Sequence, residues 1–299
     1  MHAIHTDRLT KRYGTFTALS ELSLDVHPGE VFGFLGPNGS GKSTTIRTLL
    51  GELHPSSGSA SVLGSAPREV SHRERLGYLP ADLALWPAMT GRDTLRFLAR
   101  LRRGSERHRV RWDDVTALAE RLDADLDKRV GELSTGNRQK IGLISAFMHR
   151  PELIILDEPN AGLDPLVQHE FWAMMREVAD DGRTVFLSSH TLAEVERVAD
   201  RVGIIRHGEL VTVEEVSALR SRQMRRIEID VEGALTPHDL AGVAGVHELI
   251  VHPDRIELNF AGDMAALLAA VTARVRLRDI HMQEAELEDV FLTYYQDRS

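Results

Sequence analysis

A chain of 299 residues, 42% hydrophobic and 27% charged, has the composition of a globular protein with room for one large or two unequal domains. Its formal charge of −9 speaks against a nucleic-acid partner held by bulk electrostatics. With no cysteine, disulfides, thiolate metal sites and cysteine nucleophiles are excluded.

The opening Met-His-Ala-Ile-His-Thr-Asp lacks a charged region followed by an apolar stretch, so no secretory signal is expected. No apolar run approaches the ~20 residues that span a bilayer, and the expected location is cytoplasmic. Residues 1–30 read as short alternating strands with turns at Tyr13-Gly14 and Pro28-Gly29, an antiparallel flap. Val31-Phe32-Gly33-Phe34-Leu35 is a buried strand by composition. Ser43 to Leu50, apolar at 46, 49 and 50 and stopped by Gly51, predicts a short helix. A turn-rich stretch is expected from His54 to Pro67. From about Tyr78 to Arg150 the pattern is mainly helical. Thr90 with Asp93 forms a capping-box pattern before Leu95, Leu98 and Leu101, and a second helical stretch runs from Val110 to Leu122.

Two compact strands, Leu153 to Leu156 and Thr184 to Leu187, flank a helix from Pro165 to Ala179, which implies a mostly parallel sheet. Val202 to Val213 reads as a hairpin turning at His207-Gly208. A domain boundary is expected near Ser217 to Arg226, where Arg220, Arg222, Arg225 and Arg226 read as a solvated linker face. Beyond it, strands at 227–231, 246–251, 255–260 and 275–281 alternate with helices from Thr236 and over 264–273. A last helix is expected over 287–295. That order fits a small β-α-β-β-α-β domain.

The most specific signal lies between the buried strand and the short helix. Gly36, Pro37, Asn38, Gly39, Ser40, Gly41, Lys42, Ser43 and Thr44 spell G-x-x-x-x-G-K-[ST], in the strand–loop–helix context this phosphate-binding pattern requires. Glycines let backbone N–H groups close round phosphates, and the helix N-terminus adds partial positive charge. Lys42 is expected on the β- and γ-phosphates and the Ser43 hydroxyl on Mg²⁺. Four further elements lie downstream. Leu153 to Leu156 ends in Asp157-Glu158-Pro159, with Asp157 placed for Mg²⁺ and Glu158 for polarising a water. Leu133-Ser134-Thr135-Gly136-Asn137-Arg138-Gln139 begins a helix with Ser134 as N-cap. Ala161-Gly162-Leu163-Asp164 follows the carboxylates. Leu187-Ser188-Ser189-His190 presents an imidazole at a strand end.

In this order the elements resemble the nucleotide-binding subunit of ATP-binding-cassette (ABC) transporters, over about Ala3 to Val213. The resemblance implies a P-loop ATPase core of mostly parallel sheet with an antiparallel β flap and a helical insertion at about 80–150, over residues 1–216. A small α+β accessory domain occupies 217–299. It implies ATP as the nucleotide, with Mg²⁺, and two subunits facing head to tail. Each ATP would lie between one phosphate loop and the opposite Ser134-Thr135-Gly136. Glu158 would be the general base, His190 the γ-phosphate contact, Asp164 a coupling residue across the interface and Tyr13 the aromatic on adenine; for Tyr13, simple packing is the bland account. Further phrases resemble bacterial drug and antibiotic exporters: Asn137-Arg138-Gln139-Lys140, Ala146 to Pro151, Phe186 to His190 and Leu287-Glu288-Asp289-Val290-Phe291-Leu292. They imply a separately encoded membrane permease, a motor on the inner face of the cell membrane, and no nucleic acid.

Two places depart from the family pattern. The glutamine usual after the strand Leu76-Gly77-Tyr78-Leu79-Pro80 is replaced by Ala81, followed by Asp82, and Gln139 is the first glutamine in the chain. The signature reads Ser-Thr-Gly-Asn-Arg, and Arg138 is expected to add a cation near the helix N-terminus, favouring the nucleotide's negative charge. Trp86, Pro87 and Phe97 suit either a permease groove or core packing. His5, His54 and His149 read as surface or hydrogen-bonded residues. A cassette ATPase acting on ribosomes or DNA fits poorly, since there is one Lys42 and one signature and no room between Lys42 and Ile154 for a long coiled coil. The alternative that stays open is an ATP-binding switch or resistance module with little turnover and no transport.

Overall fold

The computed structural model describes residues 2–101, 109–221, 225–233, 235–240, 242–260 and 262–284. They form two compact units, Met1–Glu215 and Val216–Ser299.

In the first unit, β1 (Ile4–Tyr13) and β2 (Phe16–Val26) pair as an antiparallel hairpin. They are followed by β3 (Val31–Leu35), buried at every position, and α1 (Lys42–Leu49). The stretch expected to be turns holds a strand instead, β4 (Ser57–Val62), which completes the flap in the order β2-β1-β4. Its sequence, Ser-Gly-Ser-Ala-Ser-Val, carries almost no β-propensity; pairing with β1 and the buried Val62 hold it.

Helix is confined to part of the expected insertion. β5 (Leu76–Leu79) is followed by irregular chain up to α2 (Gly91–Leu101), then α3 (Trp112–Arg121) and α4 (Thr135–Phe147). Thr90 and Asp93 do cap α2: the Thr90 hydroxyl donates to the Asp93 carboxylate at 2.8 Å and accepts from the Asp93 N–H at 3.0 Å. Leu95 is buried beneath it, whereas Leu101 is 62% exposed.

Next come β6 (Leu153–Asp157), α5 (Pro165–Asp180), β7 (Thr184–Ser189), α6 (Leu192–Val198) and the hairpin β8 (Arg201–Arg206) and β9 (Glu209–Glu215). The central sheet runs β5-β6-β7-β3-β8-β9, parallel except for its antiparallel edge strand β9. Strands buried on both faces read as the continuous apolar runs seen in β3, β6 and β7. Phe32, Phe34 and Phe186 stack within this core, which also takes in Leu22 and Leu24 of the flap and Ile46 and Leu49 of α1.

The second unit opens with α7 (Val216–Ser221), then β10 (Arg225–Glu232), a single turn α8 (Pro237–Leu240), β11 (Val246–Val251), β12 (Arg255–Phe260), α9 (Met264–Thr272) and β13 (Arg276–Glu284). The antiparallel order β11-β12-β10-β13 is that of a β-α-β-β-α-β domain. Alternation places Ile227, Ile229 and Val231 in its core, with Glu228 and Asp230 paired to Arg255. The expected helix over 287–295, the phrase Leu287 to Leu292, and Arg222 lie outside the described residues.

Candidate active site

The parallel strands β3, β6 and β7 end side by side, so the loops leaving them share one edge of the sheet. From β3 the chain enters the loop Gly36 to Ser43. A Cβ on Gly36 would lie 2.4 Å from the Ile205 carbonyl, and Gly41 has φ +113, which a side chain rarely tolerates. Gly41 is also the N-cap of α1; it supplies no side-chain cap, and no acidic residue stands in the first turn. Outside the loop, the β8–β9 turn braces it. The Gly208 N–H donates to the Ser40 carbonyl at 2.8 Å, and the Ser20 N–H of β2 donates to the Gly208 carbonyl at 2.9 Å.

Lys42 is buried with its Nζ donating to the Gly36 carbonyl at 2.6 Å. The same ammonium lies 3.2 Å from Glu158 Oε1, and Glu158 Oε2 lies 2.7 Å from His190 Nδ1. Loop cation, carboxylate and imidazole thus form one chain of contacts from three loops. Glu158 sits at φ +49, a left-handed conformation uncommon outside glycine and asparagine. Its N–H donates to the Ser188 hydroxyl at 3.1 Å, and that hydroxyl donates to Asp157 Oδ1 at 2.5 Å. Ser188 therefore ties the Asp157 carboxylate to the Glu158 backbone. Burial, then the charge of Asp157, pushes the Tyr78 phenol up to about 12.

The buried Ser40 hydroxyl and both polar side-chain atoms of Asn160 have no partner within the protein. Together with the bare start of α1, such donors and acceptors fit a polyanionic ligand and its cation. Ser43 is exposed at the loop and Asp157 is buried at the end of β6.

The signature lies apart. Ser134 caps α4 by accepting from the Asn137 N–H at 3.2 Å, and a Cβ on Gly136 would stand 2.2 Å from the Gly162 carbonyl. No hydrogen bond or ion pair joins Ser134, Thr135 or Gly136 to residues 36–44 among the described residues. Arg138 donates to the Leu133 carbonyl at 2.8 Å and to Thr135 Oγ1 at 3.2 Å, which holds its charge at the start of α4. Asp164 caps α5, accepting from the N–H groups of Leu166 and Val167. Tyr13 is 47% exposed with Lys11 Nζ 5.1 Å from its ring centroid, at the hairpin tip of the flap. Gln139, the last residue of the signature stretch, donates its amide to the Pro159 carbonyl. Sequence reasoning passed over Glu194, which accepts from Ser189 Oγ beside His190 and belongs to no local pattern that would have marked it.

The ABC transporter family profile matches residues 19–161. Bacitracin transport ATP-binding protein BcrA of Enterococcus faecalis is 34% identical over 77% of this chain and 75% of its own length. The Nod factor export ATP-binding protein I of Burkholderia pseudomallei is 34% identical over 97% and 95%. The chain belongs to the ABC transporter ATP-binding subunits. A solved ATP-binding subunit of an ABC transporter superposes with a TM-score of 0.66 at 30% identity, covering 73% of this chain and 92% of that one. This ABC subunit is accordingly an ATP-binding ATPase, the motor of a transporter. A switch without transport is not favoured, since the likeness to a transport subunit spans nearly the whole chain. No described helix of the ABC subunit is long and apolar enough to cross a membrane. At its family-atypical position, Ala81 and Asp82 are both exposed, and Asp82 has no ion pair among the described residues.

Proposed function

We propose that this ABC subunit powers an exporter, working on the inner face of the cell membrane with a separately encoded permease and a second copy of itself. The names of the bacitracin and Nod factor relatives support export. The carrying observation is the Lys42–Glu158–His190 chain at the mouth of an uncapped α1. In this reading residues 1–216 are the ATP-binding domain, with an insertion at about 80–150, and 217–299 an accessory domain; the division of the fold at Glu215 supports the boundary.

ATP phosphates enter the loop of Gly36, Pro37, Asn38, Gly39, Ser40 and Gly41, against the N–H groups of Lys42, Ser43 and Thr44, while Tyr13 stacks on adenine. Phosphate charge then competes with Glu158 for Lys42. Released, Glu158 accepts the proton of the water that attacks the γ-phosphorus as the bond to the ADP oxygen breaks. His190, freed from Glu158, turns to the γ-phosphate. Ser43 and Asp157 would hold Mg²⁺, which neutralises charge on the phosphates when bound. Ser134, Thr135 and Gly136 of the second copy close the far side, and Asp164 stands at the joint between copies.

The test is MgATP hydrolysis by wild type beside Glu158→Gln and Ala81→Gln. Turnover in wild type, reduced at least ~100-fold in Glu158→Gln, is expected for loss of a general base. Glu158→Gln should also accumulate as an ATP-bound dimer on gel filtration. A variant that stays monomeric with saturating MgATP contradicts the sandwich. A silent wild type revived by Ala81→Gln would instead favour an ATP-held switch.

A further inference from the structure

At the edge of the central sheet opposite the phosphate loop lies a cavity of about 670 Å³ that the reaction above does not use. Its size is that of a small-molecule site. Four guanidiniums line it, from Arg109, Arg111, Arg150 and Arg183. Three carboxylates share the wall, and two are already engaged: Glu152 by Arg75 at 2.6 Å, and Asp181 by Arg183 at 3.1 Å and Arg150 at 3.4 Å. The third, Asp114, has no ion pair among the described residues.

Helix dipoles explain part of this set. Arg150 and Arg183 follow the C-termini of α4 and α5, where cations are favoured. Arg109 and Arg111 do the reverse. They stand at the start of α3, where a cation is disfavoured, and neither has an acidic partner among the described residues. Two further details concern the arginines of this wall. Arg183 Nε is buried with no acceptor. The chain leaving α5 makes its left-handed turn with Gly182 at φ +76, but the chain leaving α4 does so with Arg150 at φ +51. Glycine would fit there without strain, so the guanidinium is kept at a conformational cost.

We infer that this cavity binds a small phosphate-bearing anion, distinct from the nucleotide. A phosphate offers at least three acceptor oxygens and more than one charge, suited to the forks of Arg109 and Arg111, which have no acidic partner among the described residues. A free phosphate and the headgroup of an anionic lipid present the same chemistry to the arginines.

Equilibrium dialysis with labelled pyrophosphate separates this site from the phosphate loop. In Lys42→Ala, which weakens the loop, one equivalent should still bind. Adding Arg150→Gly or Arg111→Ala should weaken that equivalent at least tenfold. Arg150→Gly suits the left-handed backbone, so its melting temperature should not fall and lost binding cannot be ascribed to unfolding. Sedimentation with phosphatidic-acid vesicles, abolished by Arg150→Gly, would support the site and assign the phosphate to a headgroup. No binding of either probe by Lys42→Ala, or binding unchanged by the arginine substitutions, overturns the inference.

Discussion

Two helices of the cassette begin in opposite ways. α1 starts from Gly41 with no side-chain cap, no acidic residue in its first turn and a buried lysine as its first residue. α5 starts from Asp164, whose carboxylate takes the N–H groups of Leu166 and Val167, with Pro165 filling the first position. An α-helix leaves its first N–H groups unpaired, and something must meet them. α5 meets them within its own chain, so its start is finished on folding. α1 leaves them unmet by any side chain, and in the proposed function phosphate meets them. A helix start without a cap, beside a buried cation, is therefore a better mark of a binding site than a helix start as such.

The sharpest way to break this contrast is Lys42→Ala. It removes the buried cation and leaves Glu158 facing only His190; ATP affinity should fall about 100-fold, as loss of a charged hydrogen bond of up to ~3 kcal/mol implies, read by titration with a fluorescent nucleotide. Gly41→Ala comes next. At φ +113 and with a new Cβ 2.9 Å from the Ala18 carbonyl, it should cost about 1–3 kcal/mol of stability and weaken ATP binding together. Asp164→Ala should cost about 1 kcal/mol in chemical denaturation while leaving ATP affinity of the isolated subunit unchanged, and Asp164→Asn should recover most of the loss. Ser134→Ala should be the mildest, at about 0.5 kcal/mol, because its cap serves one N–H at 3.2 Å. If Asp164→Ala weakened ATP binding as much as Lys42→Ala, the two helix starts would not divide the work in this way.

Much of the site was legible because its chemistry demands fixed residue types at fixed spacing. A lysine after a glycine-rich turn, two carboxylates after an apolar strand and a histidine after the next strand are local patterns. The parallel sheet then brings the three loops together. What was not legible depends on long-range proximity. Nothing beside Ser57 to Val62 announces a strand; its pairing with β1 creates it. Ser188 looks like strand filler until it is seen bridging Asp157 and Glu158. The arginines of the distal cavity are separated by α3, α4, β6 and α5, so only the fold assembles them.

The turn at His207-Gly208 carries a kinetic consequence. Through one hydrogen bond to Ser40 and one from Ser20 it fixes the phosphate loop between flap and sheet before any nucleotide arrives. A loop already held in place spares its ligand the entropy of ordering it, and that saving appears chiefly as a long residence time. How long ATP dwells on this motor is thus set in part by a two-residue reverse turn remote in sequence from every motif that names the site.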